Sequence, residues 1–391
     1  MKRAVFALVT AFVMLFSGCS FLLETERLDV RAYEWNQSDE GEPAGEGISN
    51  YAAMRAAIKR LVDTHTDSGE LIFSSYDGDA REDLYRAIAD VQSNTALGAY
   101  SVEYMSPVPQ QIVSFFRAEL NITYKRTKQE VDDIVSLDGG LTSLPDAVGE
   151  MMKSAESYKA FRIITSAASV SEIEALLGSA YPSYILDCPV RPEVSVGVCP
   201  ESGVEKIVEI SLNYGYTPEE LALFRDELRA GLAAFDGLGE ETDAAHLAVS
   251  AAERLAELCR PWTPEDGHEQ SESLPPPINT AVSALGRGFA DSEGFALAYY
   301  TILNALGVEC EVVAGALDRE PHYWNIVWVD GEYYHFDVSC LASDGPENTC
   351  LRNDGDMSGR YFWDMEGYPV CGGSLTYDEL FSEDGDAENT T

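Results

Sequence analysis

His322-Tyr-Trp-Asn-Ile-Val-Trp-Val-Asp330-Gly331-Glu-Tyr-Tyr-His-Phe-Asp337-Val338 reads as two strands joined by a tight turn. Aromatic and β-branched residues fill both arms. Asp-Gly between them suits a two-residue hairpin turn whose central residues both take positive φ. The hairpin puts a histidine at the start of one strand and an aspartate near the end of the next. Upstream, Ser292-Glu-Gly-Phe-Ala opens a predicted helix over 292–305 that closes at Gly307, a residue suited to a helix C-terminus. A hydroxyl at a helix start, with His322 and Asp337 on neighbouring strands, supplies the three parts of an acyl-transfer triad.

With those residues in place, 279–371 resembles the transglutaminase-like superfamily, a papain-like group with bacterial protease-like members. Its pattern runs roughly Gly-x-Cys-x-Gly-Tyr-Ala, a helix ending Leu-Gly-Ile-x-Cys, His-Ala-Trp-Asn, and Asp-Gly-x-Trp-Tyr-x-x-Asp-Val-Thr-Trp. This chain reads Ser292-Glu-Gly294-Phe295-Ala296, then Leu306-Gly307-Val308-Glu-Cys310 and His322-Tyr-Trp324-Asn325. It continues with Asp330-Gly331-Glu-Tyr333-Tyr334-His-Phe-Asp337-Val-Ser339-Cys340. The resemblance implies an α+β domain with a helix packed on an antiparallel sheet. It implies Ser292, His322 and Asp337 as the triad positions, and Trp324, Asn325 and Tyr334 as candidates for the cleft. Two departures stand out: Ser292 replaces the cysteine nucleophile, and Cys340 replaces a tryptophan.

The serine changes the chemistry. A thiol needs a modest pKa drop to ionise, whereas a hydroxyl must lose its proton to the histidine during attack. A site shaped around sulfur rarely meets that demand. Asp291, next to Ser292, would oppose developing negative charge, although an acid there also suits a helix N-cap. The expectation is therefore a catalytically degenerate domain that binds a peptide or a surface protein. The alternative is an active amidase, peptidase or acyl transferase using Ser292, His322 and Asp337. Cys310 and Cys340 lie on the wrong elements to replace the nucleophile.

The N-terminus, Met1-Lys-Arg with an apolar run from Ala4 to Phe16 and then Ser17-Gly18-Cys19, looks like a bacterial lipoprotein signal. That reading assigns 1–18 to the signal, puts lipid on Cys19 and tethers the protein to the membrane, outward-facing at the cell surface. Residues 19–47 form an acidic spacer and 379–391 an acidic tail. The net charge of −41, two units more negative once Lys2 and Arg3 leave, argues against nucleic acid or acidic wall polymer as partner. Seven cysteines besides Cys19 allow disulfides in an exported protein: Cys188 with Cys199, or pairs among Cys340, Cys350 and Cys371. No CxxC pair has zinc spacing and the five histidines are scattered, so no metal or cofactor is expected.

The length suits two domains, an α+β region over 48–240 of unreadable role and the transglutaminase-like domain over 241–378. In the first, helices are predicted over 48–66, from Asp79 to Val91, over 144–155 and 170–177, and after the capping box Thr217-Pro-Glu-Glu220. Strands are predicted over 71–75, 112–124, 161–165, 194–198 and 206–214. A helix over 243–259 and a Pro- and Glu-rich loop over 261–277 lead to the site. Residues 353–369 read as a packed extension, with an Asp-Gly-Asp calcium loop as the weaker alternative.

Overall fold

The computed structural model describes residues 47–112, 115–165, 168–240, 243–263 and 276–387. The signal, Cys19 and nearly all of the spacer lie outside these residues. Within Gly47–Thr391, which forms one unit, helices mix with largely antiparallel sheets in an α+β fold.

The first part follows from amphipathic spacing. In helix Tyr51–Asp63, Met54, Ile58 and Val62 recur every four residues and are buried together. Asp79 caps helix Ala80–Asn94, accepting from the backbone of Arg81 and Glu82. Both helices share a core with an antiparallel sheet of Ser68–Phe73, Phe115–Tyr124 and Val102–Ile112, in that order. The last of these strands is not predicted. Pro107 and Pro109 interrupt its pattern, and it sits at the sheet edge, where a missing N–H is tolerated.

A second sheet orders Val135–Ser136, Tyr158–Ile164, Glu205–Asn213 and Glu193–Cys199. Helices Leu144–Ser154, Val170–Ala180 and Pro218–Leu232 pack around it, the last opened by the Thr217–Glu220 capping box. The expected division near residue 240 is not a division of the core. One buried cluster runs from Leu144 through helix Ala244–Leu258 and helix Ser292–Ala305 to Leu380. The second sheet and the site region therefore share one interior.

The third sheet orders Glu332–Phe336, Glu320–Val329, Cys310–Leu317 and Tyr361–Phe362, all antiparallel. Asp330 and Gly331 take φ of 51° and 96°, as the predicted turn requires. Helix Ser292–Ala305 keeps its predicted bounds and packs on one face of this sheet, burying Phe295, Tyr299 and Ile302. Tyr361, Met357 and Cys371 cover Val313, Trp324 and Ile326 in a separate cluster.

The acidic tail is partly a helix, Tyr377–Ala387. Leu380 is buried in the main core and the Tyr377 hydroxyl donates to Glu253, so this segment docks. All seven cysteines among the described residues are free thiols. Cys188 turns inward, its thiol donating to the Val190 carbonyl, while Cys199 donates across its sheet to Ile207. Cys350 and Cys371 are both free and buried, in different clusters, and no staple joins them.

Candidate active site

The triad positions come from helix Ser292–Ala305, packed on the third sheet, from strand Glu320–Val329 and from the turn after strand Glu332–Phe336. Asp291 caps helix Ser292–Ala305, its Oδ1 accepting from the Gly294 N–H at 3.0 Å. Burial raises the Asp291 carboxyl above its usual range, opposed by these backbone bonds. Ser292 thus occupies the first turn. Gly294 is required there by close approach: a Cβ would lie 2.5 Å from the Ile278 carbonyl oxygen and 2.8 Å from the Ala290 Cβ.

His322 lies on strand Glu320–Val329, and Asp337 follows strand Glu332–Phe336. Their side chains meet, with His322 Nε2 2.7 Å from Asp337 Oδ2. The side-chain exposure of this pair is 12% and 2%. The carboxylate is held from every side. Tyr361 Oη donates to Oδ2 at 2.8 Å, Ser339 Oγ to Oδ1 at 2.7 Å, and the Cys340 N–H to Oδ1 at 3.3 Å. Burial alone would raise the Asp337 carboxyl. The hydrogen bond and charge of His322, with the Ser339 and Tyr361 bonds, outweigh it and hold the group below its ordinary value.

Ser292 does not complete the relay. Its Oγ accepts from the Tyr323 backbone N–H at 3.3 Å, one peptide away from His322. Among the described residues, His322 Nδ1 has no hydrogen-bond partner. The hydroxyl and the imidazole are neighbours through the strand backbone, without the nucleophile–base bond that activates a hydroxyl.

Trp324, Asn325 and Tyr334, expected at the cleft, are each buried, at 1%, 1% and 4% exposure. The sheet is covered on both faces, so both sides of the strand alternation point inward. Trp324 packs against Tyr361 and Trp363. Asn325 donates from Nδ2 to the Ala296 carbonyl at 3.0 Å, tying the strand to helix Ser292–Ala305. The Tyr334 hydroxyl accepts from the Leu375 N–H. The open space is next door, a cleft of about 520 Å³ whose lining includes Arg191, Tyr300, Glu311, Tyr323 and Tyr368. It reaches the site through Tyr323, and through Arg191, which pairs with Glu293 at 3.6 Å. Arg191 and Tyr300 are not readable as cleft residues because they stand outside the hairpin motif.

Sequence spacing also misses two groups of metal-capable side chains among the described residues: His322 with Asp337 and Cys340, and His335 with Asp354 and Cys371. In the second, the buried His335 accepts at Nδ1 from the Trp324 indole N–H (3.0 Å) and donates from Nε2 to Asp354 Oδ1 (2.9 Å). Burial lowers its pKa below the ordinary value, and the Asp354 hydrogen bond opposes that shift. The Asp354 and Asp356 carboxylates accept from His335 and from the Asn353 N–H, respectively, as parts of a packed turn. The Cys340 thiol is pushed up to about 12 by burial and by the charge of Asp337, so it is no ready nucleophile.

No family model matches the chain, and no curated protein matches it. Among solved structures, a TGase matches over 76% of this chain and 79% of its own, at 15% identity and a TM-score of 0.26. A candidate cysteine protease from Cytophaga hutchinsonii matches over 48% of this chain and 68% of its own, at 11% identity and a TM-score of 0.24. A candidate protease from Parabacteroides distasonis matches over 59% of this chain and 35% of its own, at 8% identity and a TM-score of 0.19. At scores this low, the reading of the site stands on its own residues.

Proposed function

We propose that this protein is a surface-anchored bacterial lipoprotein whose transglutaminase-like domain has lost acyl transfer and binds a peptide or a surface protein. One observation carries the loss of catalysis: the Ser292 hydroxyl is bonded to the Tyr323 amide and not to His322. A serine at its ordinary, very high pKa reacts only when a base takes its proton as it attacks. The cleft beside Tyr323 supplies a concave surface for the bound chain, with tyrosines for apolar contact and Arg191 and Glu311 for orientation.

A second reading has one specific observation in its favour. The 2.7 Å bond from His322 to Asp337 leaves Nδ1 without a partner, as a general base would need. On that reading Ser292 is an amidase or peptidase nucleophile. The purified protein, assayed for amine incorporation and for peptide cleavage, separates the two. Degeneracy expects no turnover that depends on Ser292, whereas turnover abolished by Ser292→Ala establishes the enzyme.

The anchor rests on Ser17-Gly18-Cys19 following the apolar run from Ala4 to Phe16. Cells fed a palmitate analogue are expected to label the wild-type chain and not Cys19→Ala. A protein that stays unlabelled and is released into the medium refutes the anchor.

A further inference from the structure

We propose that His322, Asp337 and Cys340 form a binding site for a borderline-soft divalent cation, with zinc the best fit. An imidazole nitrogen, a carboxylate oxygen and a thiol sulfur of these residues lie within 4.8 Å of one another. Zinc takes this mixed donor set, and three protein ligands leave its fourth position for water or a ligand group. The turn builds the trio. Asp337 caps the short helix Val338–Cys340, accepting from the Cys340 N–H, which folds the thiol back towards the carboxylate. Ser339 and Tyr361 orient that carboxylate from outside, as partners beyond the ligands do in metal sites.

Proton positions separate this trio from the other one. An indole N–H only donates, so the Trp324 bond fixes His335 Nδ1 as an acceptor and puts the ring proton on Nε2. A cation at Nε2 would need that proton to move to Nδ1, where the Trp324 hydrogen already points. His322 has no such lock, because its Nδ1 has no partner among the described residues. On metal binding its proton moves from Nε2 to Nδ1, and the Nε2 lone pair turns to the cation beside Asp337 Oδ2. The Cys340 thiol releases its proton to solvent, and no redox change is involved. A cation held this way removes the basic lone pair of His322. The inference does not require a peptide in the cleft, so it stands or falls separately from the binding role.

The test uses the full-length protein stripped with a chelator, then titrated with Co2+ and separately with Zn2+. The expected result is a thiolate-to-cobalt charge-transfer band that Zn2+ displaces. Cys340→Ser should lose the band and weaken Zn2+ binding by more than about 100-fold, beyond the effect typical of outer partners. Cys371→Ser should keep both. A band that is absent from the wild type, survives Cys340→Ser or disappears in Cys371→Ser overturns the site. If Cys340→Ser does not fold, alkylation of the wild type mapped by mass spectrometry decides. Zn2+ should protect Cys340, and unchanged labelling there overturns the proposal.

Discussion

Ser292 Oγ takes its hydrogen bond from the Tyr323 backbone amide, on the peptide that begins at His322. The hydroxyl therefore sits beside the imidazole but is held by the strand. Around it stand a capped helix start, a buried aspartate and a histidine bonded to it. The helix start and the His–Asp pair also tie the helix and strands of the fold together.

Asp337 should matter to stability whatever its chemical role. Replacing it with alanine leaves the Tyr361 hydroxyl and the His322 N–H without their acceptor. Asp337→Ala is expected to cost about 3 kcal/mol in urea unfolding, and Tyr361→Phe about 1 kcal/mol. Equal, small losses in both variants would mean that the carboxylate is not the hub of this network.

His335 sets an acid limit. Burial lowers its folded pKa, so the fold favours the neutral ring, whose Nδ1 must accept from Trp324. A group lowered on folding contributes fully above its unfolded value of about 6.5, and that contribution is lost as pH falls through the folded value. Wild-type unfolding free energy should therefore decline as pH falls below about 6.5. His335→Gln should flatten that decline, and parallel profiles for the two proteins would contradict the assignment.

Gly294 tests the packing of helix Ser292–Ala305. A methyl group there meets the Ile278 and Thr280 carbonyl oxygens at 2.5 and 3.0 Å. Gly294→Ala is expected to cost about 2 kcal/mol and to shift the first turn, which calorimetry reads as a lower melting temperature. An unchanged midpoint would show that the turn has room to spare.

Much of the site was legible because its parts are local. The Asp330–Gly331 turn, the 292–305 helix and the order of Ser292, His322 and Asp337 need only short-range pattern. The cleft was not. Strand alternation tells inside from outside only when one face meets water, and here both faces of the sheet are covered, so Trp324 and Tyr334 went inward. The thiols were also hidden. Cys340 reaches Asp337 through a turn, and Cys371 reaches Asp354 through a coil, neither with a recurring spacing. The shared core across residue 240 was not legible either, because packing of helix Ala244–Leu258 joins the second sheet to the site in one buried cluster.

Reactivity of Ser292 towards a fluorophosphonate is the most direct measurement of the central claim. The probe phosphonylates a serine only where a base and an anion-stabilising pocket activate it. Incubation of the full-length protein followed by peptide mapping should show no adduct on Ser292. A stoichiometric adduct at Ser292 that disappears in His322→Ala would contradict the account and make this protein a serine-dependent enzyme.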